Sequence, residues 1–175
     1  MTRLTPALAA FAVLFAAPFP LAAQDLLPTV GDSISNFRSA GAWEIRKNET
    51  RGVCFASYKS ESGAIVQFGF ASDEKAGYLG LFSQRSPDMP ATQEIAVLAN
   101  GNLYVGEAIG VGSTPMDGYE GGYIVVNNPE FAKDIEAGKE LVAFPEMAYT
   151  FIVDMRGAKT AMYEVRKCTS ELKRM

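Results

Sequence analysis

Between Trp43 and Ser83 the chain changes character every few residues, and that cadence limits what it can fold into. Trp43 and Ile45 alternate with Glu44 and Arg46. Apolar, β-branched and aromatic runs then follow at 53–58, 64–70 and 77–83, broken at Asn48, at 60–63 and at 72–76. Short runs of this composition separated by turn residues predict successive strands with short connections. The clearest hairpin lies further on, where 94–99 and 103–109 flank Asn100, Gly101 and Asn102. Asn-Gly accepts the positive φ values of a tight strand-to-strand turn. Residues 110–122 hold five Gly and one Pro and predict the longest loop, with a further strand at 123–126.

Helix signals come late. Asn128 can cap, Pro129 suits the first helical position, and Gly138 can end a short helix whose Phe131 and Ile135 share one face. Strands are expected at 140–144 and 148–155. After Gly157, Ala158, Ala161, Met162, Val165 and Cys168 recur at three- and four-residue offsets, one stripe of an amphipathic helix, with Lys159, Glu164, Arg166 and Lys167 left for water. Strands first and two helices late predict an α+β, mainly β domain: an antiparallel sheet or a partly open barrel with helices packed on one side.

The first residues predict an address. Arg3 precedes an uncharged apolar run from Leu8 to Phe19, and Ala22 and Ala23 follow. This is the pattern of a secretory signal peptide spanning residues 1–23, with cleavage expected after Ala23 and a periplasmic or secreted product. The run is shorter than the roughly 20 residues a bilayer requires. No later apolar stretch is long enough to predict a membrane span in the processed chain. Removing 23 of 175 residues leaves 152, which suits one domain. Residues 24–40, with Pro28, Gly31 and several Ser, read as a lead-in segment, and the β-rich domain is expected over 41–175.

Both cysteines, Cys54 and Cys168, fall in the processed part. An oxidising compartment favours joining them, which would pin the last helix to the sheet; two separate buried thiols are the alternative.

The chemistry this composition excludes is as informative. The chain has no histidine, so a Ser-His-Asp triad, a Cys-His pair and a histidine-ligated zinc site are all excluded within it. No cofactor or metal is predicted. With 16 basic against 20 acidic residues the net charge is −4, or −5 once Arg3 is removed, which argues against nucleic acid as a partner. Gly110, Val111 and Gly112 lack the Lys and the following helix of a phosphate-binding loop, and Asp73 with Glu74 lack the spacing of a calcium loop. Asn48-Glu49-Thr50 matches a glycosylation sequon only formally.

Two sets of residues remain as candidates. Asp117, Tyr119 and Glu120 place an aromatic and two acids on the glycine-rich loop, where a ring offers much contact area for few torsions, and predict a partner-binding loop. Glu107, Asp117 and Glu120 could instead form the carboxylate pair of a cell-envelope glycan hydrolase. Trp43 and Tyr123 are expected in the core.

With the leader, Trp43 in an early strand, Cys54 soon after, and a closing strand and Ala-rich helix from Phe151 to Cys168, the chain resembles small proteobacterial periplasmic proteins of the invasion-associated locus B type. The resemblance covers residues 41–168 and implies a periplasmic or surface accessory protein, in some relatives linked to host-cell entry, with no catalytic residues to carry over. The expected role is a non-catalytic periplasmic or secreted binding protein whose partner is another envelope or host protein. A glycan hydrolase and a purely structural envelope protein are the alternatives.

Overall fold

The computed structural model describes residues 27–71, 76–84, 94–107, 118–145 and 150–174. Within them lie strands β1 (Ile34–Ala40), β2 (Trp43–Asn48), β3 (Val53–Lys59), β4 (Ile65–Phe70), β5 (Gly77–Gln84), β6 (Glu94–Ala99), β7 (Asn102–Glu107) and β8 (Tyr119–Val126). Helix α1 (Pro129–Ala137), β9 (Glu140–Ala143), β10 (Phe151–Asp154) and helix α2 (Ala158–Leu172) complete the order. A first antiparallel sheet runs β1-β2-β3-β4-β5-β8, and a second runs β10-β9-β6-β7. The fold is therefore α+β and mainly β. Neither sheet closes on itself.

The main core lies between the two sheets and the helices. Trp43, Ile45, Ala56, Val66, Phe68, Leu79, Leu81 and Ile124 come from the first sheet; Ile95, Val97, Leu141, Ala143 and Val153 come from the second. Helix α2 lays its buried stripe, Ala158, Ala161, Met162, Val165 and Cys168, over β2 and β3, as the sequence offsets predict. Cys54 in β3 and Cys168 in α2 are joined by a disulfide, with their Cα atoms 5.9 Å apart. Beside it the Cys54 amide donates to the Thr169 hydroxyl at 3.0 Å, so the contact is both covalent and hydrogen-bonded. Helix α1 has the expected start: the Asn128 side chain accepts from the Glu130 amide, and Pro129 begins the first turn.

Strands β3, β4 and β5 are buried on both faces, because a second cluster forms on the far side of the first sheet from Leu27, Phe55, Ile65, Tyr78, Phe82 and Tyr123. Its rings lie over glycines in the neighbouring strand. The register pairs are Gly69 with Tyr78, Gly80 with Tyr123, and Gly121 with Phe82. A Cβ at Gly80 would stand 2.5 Å from Tyr123 Cε1, and one at Gly121 would stand 1.9 Å from the Leu81 carbonyl oxygen, so only glycine fits under these rings.

This explains where the structure departs from the sequence reading. β8 begins at Tyr119 rather than at 123, because Gly121 and Gly122 serve strand pairing and ring packing instead of a loop. The paired structure also starts earlier than 41. Residues 34–40, read as part of a lead-in, form edge strand β1 paired with β2, and Leu27 is buried in the second cluster. A bulge between Asn36 and Arg38 breaks the alternation of β1, and most of its residues are exposed, so no apolar period marks it. In the β6–β7 hairpin Asn100 and Gly101 take φ of 50° and 85°, as their types predict.

Candidate functional site

The second sheet presents its outer face to solvent. Ile152 in β10 pairs with Val142 in β9, Val142 with Leu98 in β6, and Leu98 with Leu103 in β7, so one row of apolar residues crosses the whole sheet. Ala96 and Val105 form the adjacent row across β6 and β7. Ile152 is 58 %, Leu103 60 % and Val105 53 % exposed, whereas Ile95, Val97 and Leu141 on the opposite face are buried. Single exposed apolar residues are ordinary; a contiguous set rimmed by polar groups marks an interaction surface.

Acidic residues occupy register positions beyond the ends of these rows. Beyond Ile152 and Val142, Asp154 pairs in register with Glu140. Two positions on from Ala96 and Val105 in the same strands, Glu94 pairs in register with Glu107. The Asp154 carboxylate accepts hydrogen bonds from the Arg156 side chain and backbone, and these hold its pKa below the ordinary value. Glu140 and Lys139 are exposed.

The candidates read from the sequence are not gathered here. Asp117 lies outside the described residues, as do 110–114, Asp73 and Glu74. Tyr119 and Glu120 sit in β8, paired with Gln84 and Ser83, and both are half-buried. Tyr119 packs on the second aromatic cluster, with the Lys59 ammonium 5.7 Å from its ring centre. They are strand residues, which corrects their assignment to a loop. Glu107 belongs to the second sheet and Glu120 to the first. Trp43 and Tyr123 are buried, as expected.

Two polar networks prove to be fastenings. Asp32 accepts from the Thr29 amide at 3.0 Å, from Asn48 Nδ2 at 2.6 Å and from Arg51 Nε at 2.6 Å, tying the segment before β1 to the β2–β3 turn. Asn48 is fully buried in this network, so the formal sequon serves a turn. Burial pushes the Asp32 carboxyl up, but the hydrogen bonds from Arg51, Asn48 and Thr29 outweigh it and hold the group below its ordinary value. Its stabilising contribution is therefore present above the unfolded carboxylate pKa of about 4 and is lost as pH falls through the lower folded value. Urea midpoints followed into acid should fall less steeply for Asp32→Asn than for the parent chain; parallel curves would show that Asp32 carries no acid dependence.

The second network joins the β6–β7 hairpin to α1. Asp134 accepts from Tyr104, from Asn102 at 2.7 Å and from Asn100 at 3.1 Å, which lowers its pKa and pushes the Tyr104 phenol up to about 12. Tyr104 also meets Phe131 edge-on at 4.6 Å between ring centres.

A cavity of about 200 Å³ lies between the first sheet and α1, lined chiefly by Phe68, Phe70, Tyr78, Phe131, Ile135 and Met162. It is smaller than the roughly 300 Å³ at which drug-sized sites begin. Among the described residues there is no group of three or more metal-ligating side chains, and no helix is long and apolar enough to cross a membrane.

No local motif marks the outer face of the second sheet, although a signal for it exists in β6. β6 reads Glu-Ile-Ala-Val-Leu-Ala, apolar in both alternations, which requires either cover on both faces or an exposed apolar face. Comparison with protein-family models, with curated proteins and with solved structures finds no match to this chain.

Proposed function

We propose that this chain is a non-catalytic, exported binding module, periplasmic or secreted, that docks a protein partner on the outer face of its second sheet. The observation that supports this reading is the row Ile152, Val142, Leu98 and Leu103, exposed at both ends, on a sheet whose other face builds the core. Covering such a row removes apolar surface from water, the main favourable term in protein association. The leader pattern and the disulfide support export, because a joined cysteine pair persists in an oxidising compartment.

The test is the double variant Leu103→Ser with Ile152→Ser. Both side chains are exposed, so stability should stay within about 0.5 kcal/mol of the parent. Each is expected to contribute more than about 1 kcal/mol to a partner buried over this face, so partner affinity should fall at least about tenfold. A partner that co-purifies equally with both proteins would show that binding uses another surface.

A further inference from the structure

We infer that the free edge of β7 is where the chain associates with a second copy of itself: two copies pair antiparallel along it, about a two-fold axis at Tyr104, and continue the second sheet from one into the other. This concerns the edge of the sheet and stands apart from docking on its outer face. The direction of the main chain carries it. The Ala96 carbonyl accepts from the Phe144 amide, just past β9, at 2.8 Å, so Ala96 turns its main chain away from β7. In an antiparallel ladder successive residues turn their amides and carbonyls to opposite sides. Ile95, Val97 and Ala99 therefore bond to β7, through their register partners Gly106, Tyr104 and Asn102. Leu103 and Val105 are left with amide and carbonyl pointing outward. Among the described residues, no main-chain or side-chain group bonds to them there.

The other sheet edges are each blunted in a way that natural sheets use against pairing. β1 is bulged between Asn36 and Arg38, and Arg38 is held by Glu164 of α2 at 3.1 Å. β10 has only four residues and ends at Asp154, which is bound by Arg156. β8 abuts the second sheet, where a Cβ at Gly106 would stand 3.3 Å from Ile124 Cγ2. That contact lies on the inner side of β7, the side of Tyr104, and leaves the outward edge open. β7 has none of these devices. Its register with β6 is unbroken over six residues. Asn102, Leu103, Tyr104, Val105 and Gly106 bring neither charge nor proline to the edge. Leu103 and Val105 remain 60 % and 53 % exposed.

Outward main-chain groups on alternate residues are satisfied by another strand, and β7 is itself complementary to that pattern. With Tyr104 opposite Tyr104 of the second copy, Leu103 falls opposite the second copy's Val105, and Val105 opposite its Leu103. Each outward amide of these residues then meets an outward carbonyl, as in the hydrogen-bonded pairs of an antiparallel ladder. Their apolar side chains share a face and cover one another. A two-fold axis uses the same edge on both copies, so with the remaining edges blunted association stops at two. The outer faces of the two copies run on as one surface, and pairing leaves them open. A contact of this length belongs with the small interfaces, under about 1,200 Å², that form weak complexes.

Sedimentation equilibrium of the purified chain tests this. The average mass should rise toward that of two chains, and no further, between about 1 µM and about 1 mM, the range of a weak contact. Leu103→Lys with Val105→Lys sets lysine opposite lysine across the axis and should hold the chain at the mass of one. Leu103→Lys with Val105→Glu sets lysine opposite glutamate and should restore the pair. Both positions are exposed, so the melting curves of these variants at low concentration should match that of the parent. Hydrogen exchange gives a second measure that needs no substitution. The Leu103 and Val105 amides should exchange about tenfold more slowly at high than at low concentration, while the Tyr104 amide, bonded to β6, is slow at both. The mass of one chain throughout, or a dimer that the lysine pair leaves intact, would overturn the β7 edge and leave the docking face standing. A dimer lost in the lysine pair and not restored by the lysine–glutamate pair would overturn the antiparallel pairing at Tyr104.

Discussion

Replacing Cys54 and Cys168 together by alanine is expected to lower the unfolding free energy by about 4 to 5 kcal/mol, the largest effect of any change considered. The two residues are separated by 114 positions in sequence, so the bond removes a large share of the unfolded chain's freedom. Loop-closure entropy for about 100 residues is about 4.7 kcal/mol. The folded state retains the rest of the α2 contact through Ala158, Ala161, Met162 and Val165, so the variant should fold to the same structure with less margin. Urea titration of parent and variant, each under non-reducing conditions, measures this directly. A difference below about 1 kcal/mol would mean that packing alone holds α2 in place.

Trp43→Ala should cost about 3 to 5 kcal/mol, the range for emptying a large aromatic site in a core. The side chain has no exposure, packs tilted against Phe68 and Tyr58 with ring centres 4.7 and 5.2 Å away, and donates from Nε1 to the Arg156 carbonyl at 3.1 Å. That hydrogen bond ties β2 to the turn preceding α2, where Gly157 takes a φ of 87° beneath the indole edge. Trp43→Phe keeps most of the packing and loses the donor, so it should cost less than half as much. Thermal melts followed by circular dichroism separate the two; equal losses would show that the hydrogen bond, not the ring, carries the contribution.

The legible parts of the fold were those where one local rule acts alone. Asn128, Pro129 and Gly138 mark α1 because capping needs particular side chains at particular positions, and the α2 stripe is visible because a single face is buried. β1 was not legible, since a bulged, mostly exposed edge strand keeps no apolar period. Gly121 and Gly122 misled for a different reason. Glycine signals a turn when read locally, yet Gly121 is required by Phe82 in the neighbouring strand, a contact that exists only after the sheet has formed.

The same distinction governs the candidate site. Tyr119 and Glu120 drew notice as an aromatic and an acid among glycines, whereas the exposed row is assembled from β6, β7, β9 and β10 and has no signature in any one segment. The chain has no histidine and its two cysteines are joined in one bond, so it carries neither an imidazole nor a free thiol. The exposed apolar row on the second sheet is the surface feature on which the proposed docking rests.

Site-specific photocrosslinking in intact cells addresses that claim most directly. A photoreactive residue at Leu103 or Ile152 should yield one discrete, reproducible protein adduct, while the same residue at Tyr163, 64 % exposed on α2, yields none. Adducts of equal pattern from all these positions, or none from Leu103 and Ile152, would contradict the assignment of this sheet face as the place where a partner binds.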